Sequence, residues 1–498
     1  MLHRSKILCF FFDKSKFDKS RFVSYYITMN NFQGRKSELD FLEEKYNTQD
    51  GQLVIIYGRR RIGKTETISH FCKGKNAVFY TCTQTEDINQ LKNFSTKLLS
   101  FDLPQSKYIT EFNSWEQAFL AIKDIPSADK TKQIIVIDEF PYMAKENPEI
   151  PSILQKIWDT ELKKHNILLI LCGSAMSYIE KEILSEKNPL YGRASGIYKM
   201  LPMPFSDSML FFPNWNIKDK VIAHSILGGI PYYLSQFNSQ KSLKENICSN
   251  ILKKGAILYS EPEFLMRQEL REPATYNTII QAIAMGRTTF NDIQQSTLIE
   301  KGKLSVYLKN LIELGLLSRE FPVLTTEREK QNVQRGIYKL HDLFFRFWYR
   351  FVFPNYSSLE FGDWENIYDV VVAPQLNEFV SFPFEDICIE WLREKNKKHE
   401  LPFVFTKIGR WWDKDVEIDI IASNEDQSEI LSAECKFHNS AVNDADLQKH
   451  LNKNLSSLKK KDNAIVHLWY FSWSGYTPKA REFAVANNMT LIEGKDLG

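Results

Sequence analysis

Uninterrupted apolar runs mark the first half of the chain: Leu53 to Tyr57 (LVIIY), Gln133 to Ile137 (QIIVI) and Ile167 to Leu171 (ILLIL). Runs of this length, bounded by glycine or charge, predict strands of a parallel sheet buried on both faces. A helical period takes over past Phe264. Thr275 to Ala284 reads as an amphipathic helix, and Thr289 or Asn291 is placed to cap a shorter one. Apolar residues at 304, 307, 308, 311 and 312 form one stripe of a helix from Lys303 to Leu314, which Gly315 stops before LLSREFPV begins a strand. Helix, helix, recognition helix and wing is the order of a winged helix-turn-helix. Its last helix would expose Lys301, Lys303 and Lys309 to a DNA backbone, although such modules also bind proteins. From Tyr338 to Asn355 aromatics crowd the chain. Leu343, Phe344, Phe347, Trp348 and Phe351 fall at helical spacing, which favours a buried connector over a surface for stacking single strands. Val416 to Ile421 and Ile430 to Lys436, joined by the polar SNEDQS, predict a β-hairpin.

Two of the buried strands end in chemistry. The first leads into Gly58-Arg59-Arg60-Arg61-Ile62-Gly63-Lys64-Thr65, with Glu66 opening the helix that follows. The spacing GxxxxGK[ST] lets backbone N–H groups and a helix N-terminus face phosphate oxygens, with Lys64 reaching the β- and γ-phosphates and Thr65 holding magnesium. The second ends in Asp138-Glu139. Asp138 is expected at the magnesium ion and Glu139 as general base for the attacking water. Beyond the third strand, Ser174 is the candidate to meet the γ-phosphate or that water, with a turn serine as the plain alternative.

The hairpin carries a second constellation. Glu434 and Lys436 are two apart and leave one face of their strand, and Asp419 can lie beside them on the neighbour. Two carboxylates and a lysine so placed can hold magnesium and orient a water for phosphodiester attack; paired charges on a solvated hairpin are the other reading.

Composition narrows the setting. A chain of 498 residues with a formal charge of +2 leaves nucleic-acid contact to local basic surfaces. Seven scattered cysteines without a CxxC pair argue against a zinc site or a disulfide framework, and no apolar run approaches the roughly 20 residues of a membrane helix. A cytoplasmic protein with no membrane contact is expected. Residues 1–28 are basic and aromatic without a signal-peptide pattern, and patterned sequence begins after Met29. They read as an extension that is not native, with a short basic contact to membrane or nucleic acid as the rival.

Five segments, FQGRKSELDFL, YGRRRIGKT, IIVIDEFPYM, LCGSAMSYIE with PLYGRASGIYKMLPMPFS, and LGGIPYYL, resemble the archaeal-type ATPases, a branch of the STAND and AAA-like P-loop ATPases. The resemblance implies that Gly34, Arg35 and Glu38 approach the base, that Arg193 faces phosphate, and that Gly229 and Pro231 mark a helical lid over the adenine. The C-terminal acids are similar to those of the PD-(D/E)xK nuclease fold, with Asp419, Glu434 and Lys436 at its motif positions and Glu385 as the upstream acid at the metal. Ile418 stands where that pattern has proline.

The expected fold class is α/β. A P-loop ATPase core over 29–205 precedes a helical lid (206–262), a winged helix (263–325), an aromatic helical connector (326–372) and a restriction-endonuclease-like α/β domain (373–498). The expected function is ATP binding and hydrolysis, with magnesium, on or near DNA, gating the nuclease-like domain. A signalling or scaffold switch with a non-cleaving C-terminal domain is the alternative, and self-association is left open.

Overall fold

Buried on both faces as their composition requires, the apolar runs form the middle of a five-stranded parallel sheet. A computed structural model describes residues 32–126, 131–330, 336–413, 416–457 and 464–497; the reading of residues 1–28 lies outside them. The strands β1 (Gln52–Tyr57), β2 (Ala77–Thr81), β3 (Gln133–Asp138), β4 (Ile167–Gly173) and β5 (Gly196–Lys199) run in the order β2-β3-β4-β1-β5. With β4 between β1 and β3, the carboxyl ends of all three open on one edge, where α/β sheets bind ligands. Helix α1 (Lys36–Asn47) precedes β1, and α2 (Lys64–Cys72) follows it.

The stretch read as a lid contains α3 (Ile217–Leu227), buried over most of its length, and leads to α4 (Glu261–Glu269). Helices α5 (Pro273–Ala284), α6 (Phe290–Thr297) and α7 (Lys301–Glu313) then form the expected trio. The Thr289 hydroxyl caps α6 by accepting from the Asp292 amide at 3.1 Å. The stripe on α7 is narrower than its spacing suggests. Leu304, Leu308 and Leu311 are buried, whereas Ile312 is 37% exposed. Strand β6 (Leu317–Glu320) pairs antiparallel with β7 (Ile337–Leu340), so the hairpin crosses the expected boundary at 325. Its return strand thus lies in the stretch assigned to the connector.

Behind β7, α8 (Leu343–Phe347) continues through a wider turn, Trp348–Val352, and Phe344, Phe345, Phe347, Trp348, Tyr349 and Phe351 are all 0% exposed. Stacking of single strands on these rings is thereby excluded. Helix α9 (Ala373–Lys397) continues without a break from the helical turn Tyr368–Val372 and leads to strands β8 (Lys407–Trp412), β9 (Glu417–Ser423), β10 (Glu429–Lys436), β11 (Ile465–Ser472) and β12 (Met489–Glu493), in the order β12-β11-β10-β9-β8. Strands β8, β9 and β10 are antiparallel; β10, β11 and β12 are parallel, with α10 (Asp444–Ser457) and α11 (Pro478–Ala486) in the crossovers.

One apolar cluster runs from Leu42 and Val54 through Phe347, Trp348 and Phe384 to Phe471 and Leu497. The other face of the ATPase sheet has its own cluster, from Leu53 to Leu190. Segments that read as successive domains therefore share a core. Each fully buried Phe contributes about 1.5–3 kcal/mol, more than a surface ion pair supplies. Glu390 on α9 reinforces the join, accepting from the Phe205 amide at 2.7 Å.

Burial raises the Glu390 carboxyl from 4.5 to about 7, while the Phe205 amide opposes the shift. The folded chain thus holds this proton more tightly than the unfolded chain, and its stabilising effect is lost as pH climbs from about 4.5 to about 7. Glu390→Gln keeps an acceptor for Phe205 and is expected to flatten that fall, melting above the native protein at pH 8 but not at pH 4. Parallel melting of the two proteins at pH 4, 6 and 8 would show that the carboxyl is not the source.

Candidate active site

The loop after β1 is shaped by two constraints on its backbone. A Cβ on Gly58 would lie 2.5 Å from the Met200 carbonyl oxygen, so only glycine fits that close approach. Arg61 (φ 69°) and Gly63 (φ 88°) are both left-handed and bend the chain into the start of α2, whose first N–H groups lack helical partners. Lys64 spans the loop, its Nζ donating to the carbonyls of Gly58 (2.9 Å) and Arg59 (3.1 Å), and burial lowers its pKa. The Ile62 carbonyl accepts from Arg35 Nη2 at 2.7 Å, while Glu66 stands exposed in the first turn of α2.

Across the sheet edge, Thr65 Oγ1 donates to Asp138 Oδ2 at 2.8 Å, and the Glu139 amide donates to Asp138 Oδ1 at 3.0 Å. Hydroxyl and carboxylate in contact are a suitable pair for a hard divalent cation. Glu139 adopts a left-handed φ of 52°, a conformation costing about 1–3 kcal/mol that surrounding structure must impose. The amide and hydroxyl of Ser174 hold its Oε2 at 3.1 and 2.9 Å. Ser174 therefore meets the acid directly. Sequence reasoning missed Cys172 on β4, whose thiol burial pushes up, with Asp138 beside it adding to the effect.

Gly34 is left-handed and precedes Arg35, which bonds Glu38 and the Leu201 carbonyl at 2.7 Å each, in addition to Ile62. This segment braces the loop from behind. Pro231 borders the loop from the lid, 3.5 Å from where a Gly63 Cβ would stand, and a Cβ on Gly229 would meet the Met203 carbonyl at 1.9 Å. Arg193 departs from expectation. Its guanidinium lies 3.2 Å from Asp159, on the helix Ile150–Thr160, in a pair that is more than a third exposed on both sides.

The three loop arginines have partners that the sequence pattern did not indicate. Arg59 pairs with Asp342 and lies 5.1 Å from the centre of the Phe345 ring. Arg60 Nε meets Glu269 at 2.6 Å, and its Nη2 donates to the Tyr142 hydroxyl at 3.2 Å. Arg61 pairs with Glu261 at 2.9 Å over the Tyr232 ring at 4.1 Å. Burial raises the Glu261 carboxyl despite that pairing. Asp342 also caps α8, accepting from the Phe345 amide at 2.9 Å; an Asp just ahead of an apolar helical run was the one available signal. A cavity of about 220 Å³ opens beside the loop, lined by polar groups of Arg59, Arg60, Lys145 and Ser174 together with apolar Leu265, Met266, Leu316 and Phe345.

In the C-terminal sheet, one step beyond the last pair of the β9–β10 ladder (Ile420 with Ala433) sets Asp419 against Glu434, with both side chains leaving one face. Asp419 Oδ2 accepts from the Cys435 amide at 2.8 Å, and burial together with Glu434 raises its carboxyl to about 6. Glu434 lies below its usual value: burial pulls it up, but His450 and Lys453 outweigh that. Lys453 on α10 bonds it at 2.9 Å, with Lys436 at 3.8 Å. Glu385 does not take the expected place at a metal. Arg410 holds it at 2.6 Å, and among the described residues no group of three or more His, Cys, Asp or Glu stands ready for a metal. Burial, with Asp419 adding, raises Glu385 to about 8 against the pull of Arg410.

A phosphate loop before a helix, with an acid pair on the next strand but one, defines a P-loop ATPase, and this chain is one. Residues 32–237 match a family model described as an ATPase domain predominantly from Archaea, and residues 348–449 match one described as archaeal and bacterial proteins of unknown function. An uncharacterized protein of Methanocaldococcus jannaschii is 35% identical over 419 residues, 84% of this chain and 90% of its own length, and the chain belongs to its family. An uncharacterized ATP-binding protein of the same organism is 52% identical over 44 residues, 9% of this chain and 75% of its own. Among solved structures, a Walker-type ATPase of Pyrococcus abyssi is 20% identical with a TM-score of 0.46, covering 64% of this chain and 96% of its own.

Lys64→Ala is expected to abolish nucleotide binding, read by fluorescent ADP titration. Glu139→Gln is expected to bind nucleotide normally while turnover falls by roughly 10²-fold or more, since it keeps the shape and loses the base.

Proposed function

We propose that this ATPase acts on DNA and that its nucleotide state is passed to the C-terminal sheet. The observation that carries the coupling is a run of ion pairs leaving the phosphate loop. Arg59 meets Asp342; three residues earlier Lys339 meets Asp386 at 2.8 Å; Arg410 joins Asp386 at 3.0 Å to Glu385 at 2.6 Å, next to Asp419. A change at the loop thus has a connected route to the C-terminal acids, and Glu320 stands 3.4 Å from both Lys339 and Arg410 as a second partner along it.

At the loop, Glu139 takes the proton of a water held beside Ser174 as that oxygen bonds the γ-phosphorus and the bond to ADP breaks. Lys64 leaves the loop carbonyls for the phosphate oxygens. Thr65 and Asp138 are the residues to hold magnesium, which when bound neutralises charge on the β- and γ-oxygens. DNA contact falls to Lys301, Lys303 and Lys309, all exposed on α7. Asp419 and Glu434, with Lys436 beside them, are the groups for one divalent cation and phosphodiester cleavage. A second reading, a C-terminal module that binds without cutting, is favoured by Lys453 already answering Glu434 at 2.9 Å.

Magnesium- or manganese-dependent cleavage of branched, linear and single-stranded DNA, with and without ATP, distinguishes the two. The leading reading expects nucleotide-dependent cutting that Asp419→Ala removes; absence of cutting with retained binding supports the second. Replacing Lys301, Lys303 and Lys309 by alanine is expected to weaken DNA binding and flatten its dependence on log salt by roughly 0.9 for each phosphate no longer neutralised. Unchanged affinity and slope would remove α7 from the interface.

A further inference from the structure

The loop carries three adjacent guanidiniums, and their surroundings are not equivalent. Arg59 faces Asp342, which is 0% exposed and also caps α8, and it lies against Phe345. Arg61 faces Glu261, 4% exposed, with Tyr232 against its plane. Both are locked by a buried carboxylate and a ring. Arg60 has neither. Its acid, Glu269, is 31% exposed at the last residue of α4, and its other partner is the neutral Tyr142 hydroxyl. Arg60 also lines the cavity that holds Ser174, the residue fixing Glu139, and its charge is felt at Lys64. Arg193 forms a pair of the same exposed kind with Asp159 at 3.2 Å, but it is not among the residues that line this cavity.

We infer that Arg60 is a catalytic residue of the ATPase, swinging from Glu269 onto the γ-phosphoryl group as the water attacks, so that Glu269 on α4 sets how readily the loop supplies that charge. As the P–O bond to ADP breaks, negative charge spreads over the equatorial and bridging oxygens. A guanidinium fixed beside them, in a cavity with apolar walls, neutralises that charge with two parallel N–H donors. A surface-type ion pair such as Arg60–Glu269 is worth only about 0–1 kcal/mol, so a phosphoryl group displaces it readily. The buried partners of Arg59 and Arg61 are far harder to remove.

The test is steady-state ATP hydrolysis together with binding of ADP and of ADP with aluminium fluoride, which resembles the phosphoryl group in transfer. Arg60→Ala is expected to lower kcat by roughly 10²-fold or more, keep ADP affinity within about threefold, and lose affinity for the aluminium fluoride complex in proportion to kcat. Arg60→Lys keeps the charge but not the fork and should recover part of both. Glu269→Gln is expected to raise kcat a few-fold by releasing Arg60. Equal loss of ADP and analogue binding in Arg60→Ala would make Arg60 a structural residue and overturn the proposal. So would a fall in kcat in Glu269→Gln matching that of Arg60→Ala. Loss of analogue binding in Arg193→Ala alone would return the role to Arg193.

Discussion

A loop built to surround anions carries Arg59, Arg60 and Arg61 in a row, and the folded chain has to answer each with a carboxylate. Guanidiniums brought together near a lysine repel one another, and taking them out of water costs several kcal/mol per ion unless acids and hydrogen bonds compensate. Those acids come from α4 and from the residue ahead of α8, so the second half of the chain must lie over the loop for the first half to be electrostatically complete. The apolar core from Leu42 to Leu497 supplies the free energy of folding; the three pairs decide which surface faces which.

A similar economy governs the C-terminal sheet. Arg410 is 4% exposed in its side chain and touches Glu320, Glu385 and Asp386, which lie on the β6–β7 hairpin and α9. Phe382 covers its plane at 4.2 Å, as it does the Lys339 ammonium. Burial opposes ionisation of Asp386, yet the two cations bring its carboxyl down to about 2, while Glu385 beside it goes up to about 8. Two adjacent acids on one helix are thus driven apart in proton affinity, Glu385 upward by burial and Asp419, and Asp386 downward by Lys339 together with Arg410. The β6–β7 hairpin and the C-terminal sheet are thus joined by charge as well as by the apolar contact of Val323 and Leu324 with Ile418, Ile421 and Ile430.

What could be read along the chain follows from how local each signal is. The strands β1, β3 and β4 were legible because burial on both faces leaves uninterrupted apolar runs, and the loop because its glycines and Lys64 answer a backbone requirement within eight residues. The common face of Asp419 and Glu434 was legible because strands alternate. Partners brought together by tertiary packing were not. Glu261, Glu269 and Asp342 look like ordinary helix-start and helix-end acids, and nothing near Glu385 announces Arg410 across the sheet. Arg193, too, has a partner in Asp159 that residue type alone did not indicate. Tertiary geometry, and not residue chemistry, decided each of these.

The pairing of Arg59 with Asp342 also bears on how the chain is made. The two residues are 283 positions apart, and at synthesis rates of about 5–20 residues per second the loop leaves the ribosome roughly a quarter of a minute to a minute before its counter-charge does. Through that interval the newborn loop is an unneutralised cationic surface beside a half-finished core.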